Sequence, residues 1–201
     1  MTTAAAGNPA KAALRIAALS RRDRLGAVER ADASGRIAER VMAIVGAQKP
    51  AVMAAYLPIR SECDCRPIIA RARSLSIAIT LPAVVDPVTL VFRRFEPGVP
   101  LAAGGHGTLA PMPDQPILDP DLVIVPLVAF DRSGLRLGYG RGFYDRALAG
   151  LAARGLRPTL IGVAFATQEA EVIPAEAHDI RLDWIVTENE TLAVASQTVR
   201  R

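Results

Sequence analysis

Aromatic side chains are scarce in this 201-residue chain: they make up 4%, with a single tryptophan. Any core must therefore be filled mainly by Ala, Val, Leu and Ile. Cysteine is almost absent. Cys63 and Cys65 form one isolated C-x-C, which argues against a secreted disulfide scaffold. A zinc site would need further ligands, and only His106 and His178 could help, neither at matched spacing. The two thiols read as reduced and structurally incidental. No apolar run approaches the roughly 20 residues that span a bilayer. The N-terminal MTTAAAGNPAKAALR lacks a charged start followed by a continuous apolar stretch, so it does not read as an export signal. The expectation is a cytoplasmic protein without a membrane partner. Lysine is scarce too: Lys11 and Lys49 stand among 24 basic residues. The arginine bias reads as codon composition. A lysine kept against that bias can mark a place that favours a compact ammonium over a planar guanidinium.

What is plentiful is aliphatic: 51% of the residues are hydrophobic, enough for a sizeable core. The length suits one domain, taken here as residues 1–201 with flexible ends at about 1–7 and 195–201. The net charge of +4 is compatible with anionic ligands. It is spread along the chain with no basic run interleaved with aromatics, so nucleic acid is not expected as a partner.

Asn8-Pro9 makes a good helix start, Asn as cap and Pro in the first turn, and the helix runs on through KAALRIAALSRR. Leu14, Ala18 and Arg21 share one side of it. Lys11 and Arg15, four apart, share a face and repel mildly, which a bound anion would relieve. From spacing alone that pair reads as an ordinary solvated basic face. A second helix is predicted over 28–45, ending at Gly46 before Pro50. Residues 51–57 read as a buried strand, 67–73 as a helix, and 76–82 and 89–95 as strands. The Pro/Gly-rich stretch 97–120 reads as a long surface loop. DLVIVP (121–126) is the next strand, followed by a D-x-S-G turn signal. TLIGVAF (159–165) and WIVT (184–187) complete the set. Strands that alternate with helices and read as continuous apolar runs predict an α/β protein whose mainly parallel sheet is covered by helices on both faces. Ligands in such sheets gather at the carboxyl ends of the strands. Leu57, Glu62, the 126–144 region and the segment after Phe165 fall there.

RLGYGRGFYDR (136–146) is the most informative stretch. Gly138, Gly140 and Gly142 alternate, Arg136 and Arg141 flank them, and Asp145 follows at the start of an amphipathic run. Glycines tolerate positive φ, so successive N–H groups can turn inward as an anion nest. The following helix N-terminus adds further unpaired N–H groups. Asp145 would repel a phosphate unless a cation bridged the two, which points to Mg²⁺. The stretch is neither a P-loop, since no Lys-Ser/Thr pair follows, nor a dinucleotide fingerprint, since its third glycine comes one residue early. A glycine-rich turn with a solvated charged rim would look similar.

The longer run DLVIVPLVAFDRSGLRLGYGRGFYDRAL resembles the signature of the 5-formyltetrahydrofolate cyclo-ligase (5,10-methenyltetrahydrofolate synthetase) family. KAALR resembles that family's basic first helix, YLPIRSECDCRPII its substrate-glutamate segment, and HDIRLDWIVTE its closing H-D-x-x-x-D stretch. The similarity extends roughly from Lys11 to Glu188. It implies a three-layer sandwich of the NagB/RpiA/CoA-transferase-like type, with a monomer or weak homo-oligomer expected. It also implies an enzyme that consumes ATP with Mg²⁺ to join N10 to the formyl group of 5-formyltetrahydrofolate. Carried over residue by residue, the resemblance makes Lys11 and Arg15 ATP phosphate ligands, with Arg15 also near the substrate. Arg136, Leu137, Gly138, Tyr139, Gly140, Arg141, Gly142, Phe143 and Tyr144 form the loop around the triphosphate. Arg15, Arg136 and Arg141 act on the transferring group. Tyr139 through Phe143, with Leu57, Glu62 and His106, meet the folate. Asp145 and Asp179 hold the metal. Two departures stand out. His106 and Ala110 occupy places where many relatives carry an aromatic and an acidic residue. Phe143 stands where a second tyrosine is frequent.

Read without the resemblance, Asp145 could be a first-turn acid favoured by the helix dipole. Glu62 and Asp179 could be solvated loop residues. Three rivals to the ligase remain on these residues: a non-catalytic folate or nucleotide binder, an isomerase or acyl-transferase of similar shape, and a basic nucleic-acid binder.

Overall fold

Alternate residues of a strand face opposite ways, and the run LVIVP puts both of its faces into core. Leu122 and Ile124 join one buried cluster; Val123 and Val125 join another. In the computed structural model of the chain, which describes residues 8–105, 107–177 and 179–194, this run is β6 (Leu122–Pro126) at the middle of a seven-stranded sheet. Across the sheet the order is β11 (Thr191–Ala193), β10 (Trp184–Val186), β9 (Thr159–Val163), β6, β1 (Val52–Ala54), β2 (Ala78–Val84) and β3 (Leu90–Arg94). The pairings from β10 through β2 are parallel, and only the outermost, β10 with β11 and β2 with β3, are antiparallel.

Helices cover both faces, as a mainly parallel sheet requires. One face packs on α2 (Ala27–Gln48) and α3 (Arg66–Ser74) through Ile37, Val41, Ile68 and Ile69. The other packs on α4 (Phe143–Ala153) through Leu148 and Leu151, with Phe92 and Leu160. The three-layer α/β expectation holds. A third cluster lies at the carboxyl end of the sheet. There α1 (Pro9–Asp23) lays Ala18, Leu14 and Leu19 on the small hairpin of β7 (Ala129–Phe130) and β8 (Arg136–Leu137) and on Ile173. The start of α1 is built as expected: Asn8 Oδ1 accepts from the Ala10 N–H at 3.0 Å, with Pro9 in the first turn.

Several boundaries differ from the sequence reading, each for a local reason. Helix α2 runs past Gly46 and stops at Lys49, which takes the left-handed conformation (φ 51°) before Pro50. The strand expected over 51–57 keeps only Val52–Ala54, because Tyr56 and Leu57 turn away into the loop ahead of α3. The stretch 97–120 is not one loop. It contains the hairpin of β4 (Leu101–Gly105) and β5 (Thr108–Pro111), which packs against β2 and β3. Its small residues hid the strand alternation; Gly104 is required there, since a Cβ would come 2.6 Å from Thr108 Oγ1. Strand β11 was not foreseen. The expected flexible ends, 1–7 and 195–201, lie outside the described residues, as do His106 and His178.

Gly162 sits inside β9, where an added Cβ would strike Leu182 and come 2.9 Å from Leu127 Cδ2. Both leucines are core residues that cannot swing out. Gly162→Ala is expected to cost about 1–3 kcal/mol by overpacking, read as a lower urea midpoint. An unchanged midpoint would contradict this packing.

Candidate active site

The carboxyl ends of the parallel strands release the segments that carry the candidate residues: 55–65 after β1, 127–142 after β6, and the stretch after β9 that leads to 176–180. Helix α1 closes them from above. Its inward stripe is Lys11, Arg15, Ala18 and Arg22, spaced four, three and four, which is one face of a helix. Lys11 is 6% exposed and Arg22 is 1% exposed. The reading of Lys11 and Arg15 as a solvated face therefore gives way: the basic residues point inward.

The glycine loop joins β8 to α4. Gly140 (φ 91°) and Gly142 (φ 64°) hold positive φ, a backbone shape that disfavours other residues. A Cβ on Gly140 would lie 3.4 Å from the Arg15 guanidinium, and one on Gly142 would lie 2.9 Å from Arg146 Nη1. Arg15 Nε donates to the Gly138 carbonyl at 2.7 Å, fixing the loop against α1. Arg141 is exposed on the loop. Leu137 and Tyr144 turn inward: Leu137 packs beneath α1, and the Tyr144 ring meets Phe92 edge-on. The Leu137 carbonyl is also occupied, accepting from the Val128 N–H at 2.7 Å. Phe143 lies under Arg146, whose Cζ is 5.2 Å from the ring centroid.

Both acids named as metal ligands are already matched with bases named as phosphate ligands. Asp145 Oδ1 accepts from Arg136 Nη2 at 2.6 Å. Arg136 also donates to the Ile180 carbonyl, and the Ile180 N–H reaches back to Asp145 at 3.4 Å. Lys11 Nζ lies 2.7 Å from Asp179 Oδ2 and 3.0 Å from Glu176 Oε2. Burial pulls the Lys11 ammonium down, but its hydrogen bonds to Asp179 and Glu176 outweigh that and hold it above its ordinary pKa. Ile180 neighbours Asp179 in the chain, so the two acids stand on adjoining segments.

Among the described residues no group of three or more His, Cys, Asp or Glu side chains could hold a metal. That pattern does not suit an all-protein metal cage. Asp145 and Asp179 themselves offer carboxylate oxygens, the donor type Mg²⁺ takes one or two of before substrate phosphates and water complete its shell.

Glu62 anchors the opposite rim. Its Oε2 accepts from the Ile59 N–H and its Oε1 from the Tyr139 hydroxyl, each at 2.9 Å. Burial pushes the carboxyl above its usual pKa, against the pull of Ile59, Tyr139, Arg22 and Arg60. Leu57 is half-buried on the same loop, packed against the core. The cysteines beside Glu62 are free and buried. Ala110 is buried in β5. Two cavities of about 320 and 440 Å³ lie elsewhere, one between β3 and α4, the other between α2 and Trp184. The candidate site is a surface cradle.

The structure thus joins Lys11, Arg15, Glu62, the 136–144 loop, Asp145 and Asp179 through direct contacts or adjoining segments. The sequence reading missed Glu176 as a partner of Lys11 and the Ile180 backbone as a partner of Arg136 and Asp145. It also missed Arg22, although Arg22 continues the Lys11–Arg15–Ala18 stripe and could have been found by extending it.

Comparison with known proteins defines first the class, folate enzymes of the ligase type. The family model described as "5-formyltetrahydrofolate cyclo-ligase family" matches residues 8–188. The chain belongs to this family. The 5-formyltetrahydrofolate cyclo-ligase of Escherichia coli K12 is 34% identical over 142 residues, covering 67% of this chain and 76% of that protein. The protein of that name from Haemophilus influenzae is 29% identical over 168 residues, 80% of this chain and 88% of its own. Among solved structures, the 5,10-methenyltetrahydrofolate synthetase of Aquifex aeolicus superposes with a TM-score of 0.76 at 30% identity, over 92% of each chain. The fold is shared with the synthetase of Mycoplasma pneumoniae, at TM-score 0.72 and 23% identity, over 89% of this chain and 98% of that one.

Arg136 is 8% exposed. Arg136→Met would leave the Asp145 carboxylate without its cation, at a cost of about 1–3 kcal/mol, read from the denaturant midpoint. Full stability in that variant would contradict the pairing.

Proposed function

We propose that this cyclo-ligase consumes ATP with Mg²⁺ and converts 5-formyltetrahydrofolate into 5,10-methenyltetrahydrofolate, ADP and phosphate. The observation that carries the reading is the glycine cradle: a positive-φ loop at the start of α4, braced by Arg15 and bordered by Arg136 and Asp145. A folate binder without catalysis would not need a phosphate nest beside paired acids.

The chemistry follows from the substrate. A formamide carbonyl is a poor electrophile, and its oxygen is a poor leaving group. Moving the γ-phosphoryl group of ATP to that oxygen turns it into a good one; N10 then attacks the carbon, the ring closes and phosphate departs. Such an enzyme works mainly by positioning and by neutralising phosphoryl charge. The N–H groups of the 138–142 nest would cradle the phosphates, with Lys11, Arg15, Arg136 and Arg141 supplying positive charge. Asp145 and Asp179 would hold Mg²⁺, which when bound lowers the charge of the triphosphate. Arg15 and Arg141 would stay on the oxygens as charge builds. On the folate side, Glu62 would accept pterin N–H groups, a task suited to an ionised carboxylate, while Leu57 and the Tyr139–Phe143 backbone would line the ring. His106, expected to meet the folate, lies outside the described residues. The same reading makes the protein cytoplasmic, with no nucleic-acid partner.

Mixing the purified chain with 5-formyltetrahydrofolate, ATP and Mg²⁺ should raise the near-ultraviolet band of the methenyl product, and omitting ATP should abolish it. Asp145→Asn should cut turnover by about 10²-fold or more, the scale of losing one group that stabilises transition-state charge. Product without ATP, or normal turnover in the variant, would overturn the reading.

The pH dependence has a definite sign. Ionised Glu62 is acceptor-only on both oxygens, protonation turns one of them into a donor, and burial, the first cause, raises its pKa. Folate affinity should therefore fall on acidification, beginning above the ordinary glutamate value of about 4.3. Calorimetry across that range checks it; flat affinity down to about pH 4 would count against Glu62 as the acceptor.

A further inference from the structure

Arg22 is buried at the last turn of α1 with 1% exposure, remote from the residues that the glycine loop implicates by sequence. Its guanidinium spans two segments. Nε donates to Ser61 Oγ at 3.0 Å, and Ser61 in turn donates to Asp23. Nη2 donates to the Tyr139 hydroxyl at 3.1 Å, and that hydroxyl donates to Glu62 Oε1 at 2.9 Å. Nη1 is buried with no partner among the described residues.

We propose that Arg22 is a positioning residue for folate: it holds the Tyr139 hydroxyl, which holds the Glu62 carboxylate in place for the pterin. This rests on the folate reading of Glu62 given above. The chain of contacts links α1, the glycine loop and the loop after β1, so the nucleotide and folate sides of the cradle share one brace.

A purely structural account fits poorly. A buried guanidinium with an unsatisfied donor is costly, and an apolar side chain of similar length often stabilises such a position. Donation by Arg22 also decides how Tyr139 is used. With its oxygen lone pair engaged by Nη2, the phenol proton is left for Glu62, and a hydrogen bond to a carboxylate is stronger than one between neutral groups. The groups around Glu62 are Arg22 on α1, Tyr139 on the glycine loop, Tyr144 on α4, and Arg60, Tyr56 and Cys65 near the loop after β1. Of these, Arg22 and Arg60 alone are cationic. Burial raises the Tyr56, Cys65, Tyr139 and Tyr144 groups, with Glu62 adding to the rise; they stay neutral near pH 7. Loss of Arg22 would thus remove one of two charges that keep Glu62 ionised.

The test compares Arg22→Met, Arg22→Lys, Tyr139→Phe and the double variant Arg22→Met/Tyr139→Phe with the wild type. Two measurements use the ligand-free chain: carboxyl-carbon NMR titration of Glu62 and hydrogen exchange of the 138–142 amides. Two more are the dissociation constants for 5-formyltetrahydrofolate and for ATP with Mg²⁺. Arg22→Met should move the Glu62 titration to higher pH and speed exchange in the loop. It should weaken folate about tenfold or more, the scale of a hydrogen bond to a charged group, with a clearly smaller effect on ATP. Arg22→Lys should return the titration toward wild type. Tyr139→Phe should weaken folate in the same direction, and the double variant should be no worse than the weaker-binding single.

An unshifted Glu62 titration with unchanged loop exchange, equal weakening of both ligands, or losses that multiply in the double variant would overturn the proposal. Should Arg22→Met fail to fold, Tyr139→Phe decides: wild-type loop exchange and Glu62 titration in that variant would overturn it. A wild type that does not bind the folate would sink the functional reading, while the two ligand-free measurements would still decide the brace.

Discussion

Two base–acid pairs hold this site together: Arg136 with Asp145, and Lys11 with Asp179 and Glu176. Lys11 and Arg136 are largely buried, and a buried charge without a partner is costly. Each base therefore needs a counter-charge whether or not a ligand is present. The same bases are suited to phosphate and the same acids to a divalent cation. The pairs tie α1 and the glycine loop to the 176–180 segment, and on the proposed function they would present matched positive and negative groups to a metal–triphosphate. A triphosphate alone would displace the acids from their bases and leave carboxylates beside phosphate oxygens. A metal alone would leave the bases uncompensated. On the proposed function, metal and phosphates arriving together would satisfy both halves of each pair.

The fold makes this arrangement possible by delivering every segment at one end of a parallel sheet. Parallel strands share a direction, so the loops after β1, β6 and β9 emerge on the same side. Helix α1 then lies across them on the β7–β8 hairpin and supplies Lys11, Arg15 and Arg22 from one stripe. Core packing is dense and aliphatic on both sheet faces, which leaves polar chemistry to that end. The cavities between helices and sheet edges are lined by other residues, and the functional reading does not depend on them.

Much of this was legible in the sequence. The continuous aliphatic runs at 121–126 and 159–165 announced buried parallel strands. Asn8-Pro9 announced the start of α1, and the alternating glycines announced the cradle. The hidden parts share one cause: they depend on pairing between distant residues. The hairpin within 97–120 is mostly Ala and Gly (LAAGG and TLAP), whose small side chains blur any strand alternation. The edge strand β11 spans only Thr191–Ala193 and is defined by its antiparallel partner. In the site, residue types were visible but partners were not. Spacing offered Lys11 and Arg15 as a solvated basic face because Asp179 and Glu176 lie far off in the chain. Extending the stripe would have reached Arg22, but its partner Tyr139, 117 residues away, could not be read from the sequence.

The central claim is that phosphate-binding bases and metal-binding acids are held as each other's partners until a metal–nucleotide exchanges them. Its most direct measurement is calorimetric binding of ATP to the wild-type chain in excess Mg²⁺ and again in a chelator, without folate. The account predicts clear binding in the first case and affinity lower by about tenfold or more in the second, the scale set by about 1.4 kcal/mol of unmatched charge. Equal affinity with and without the metal would contradict it.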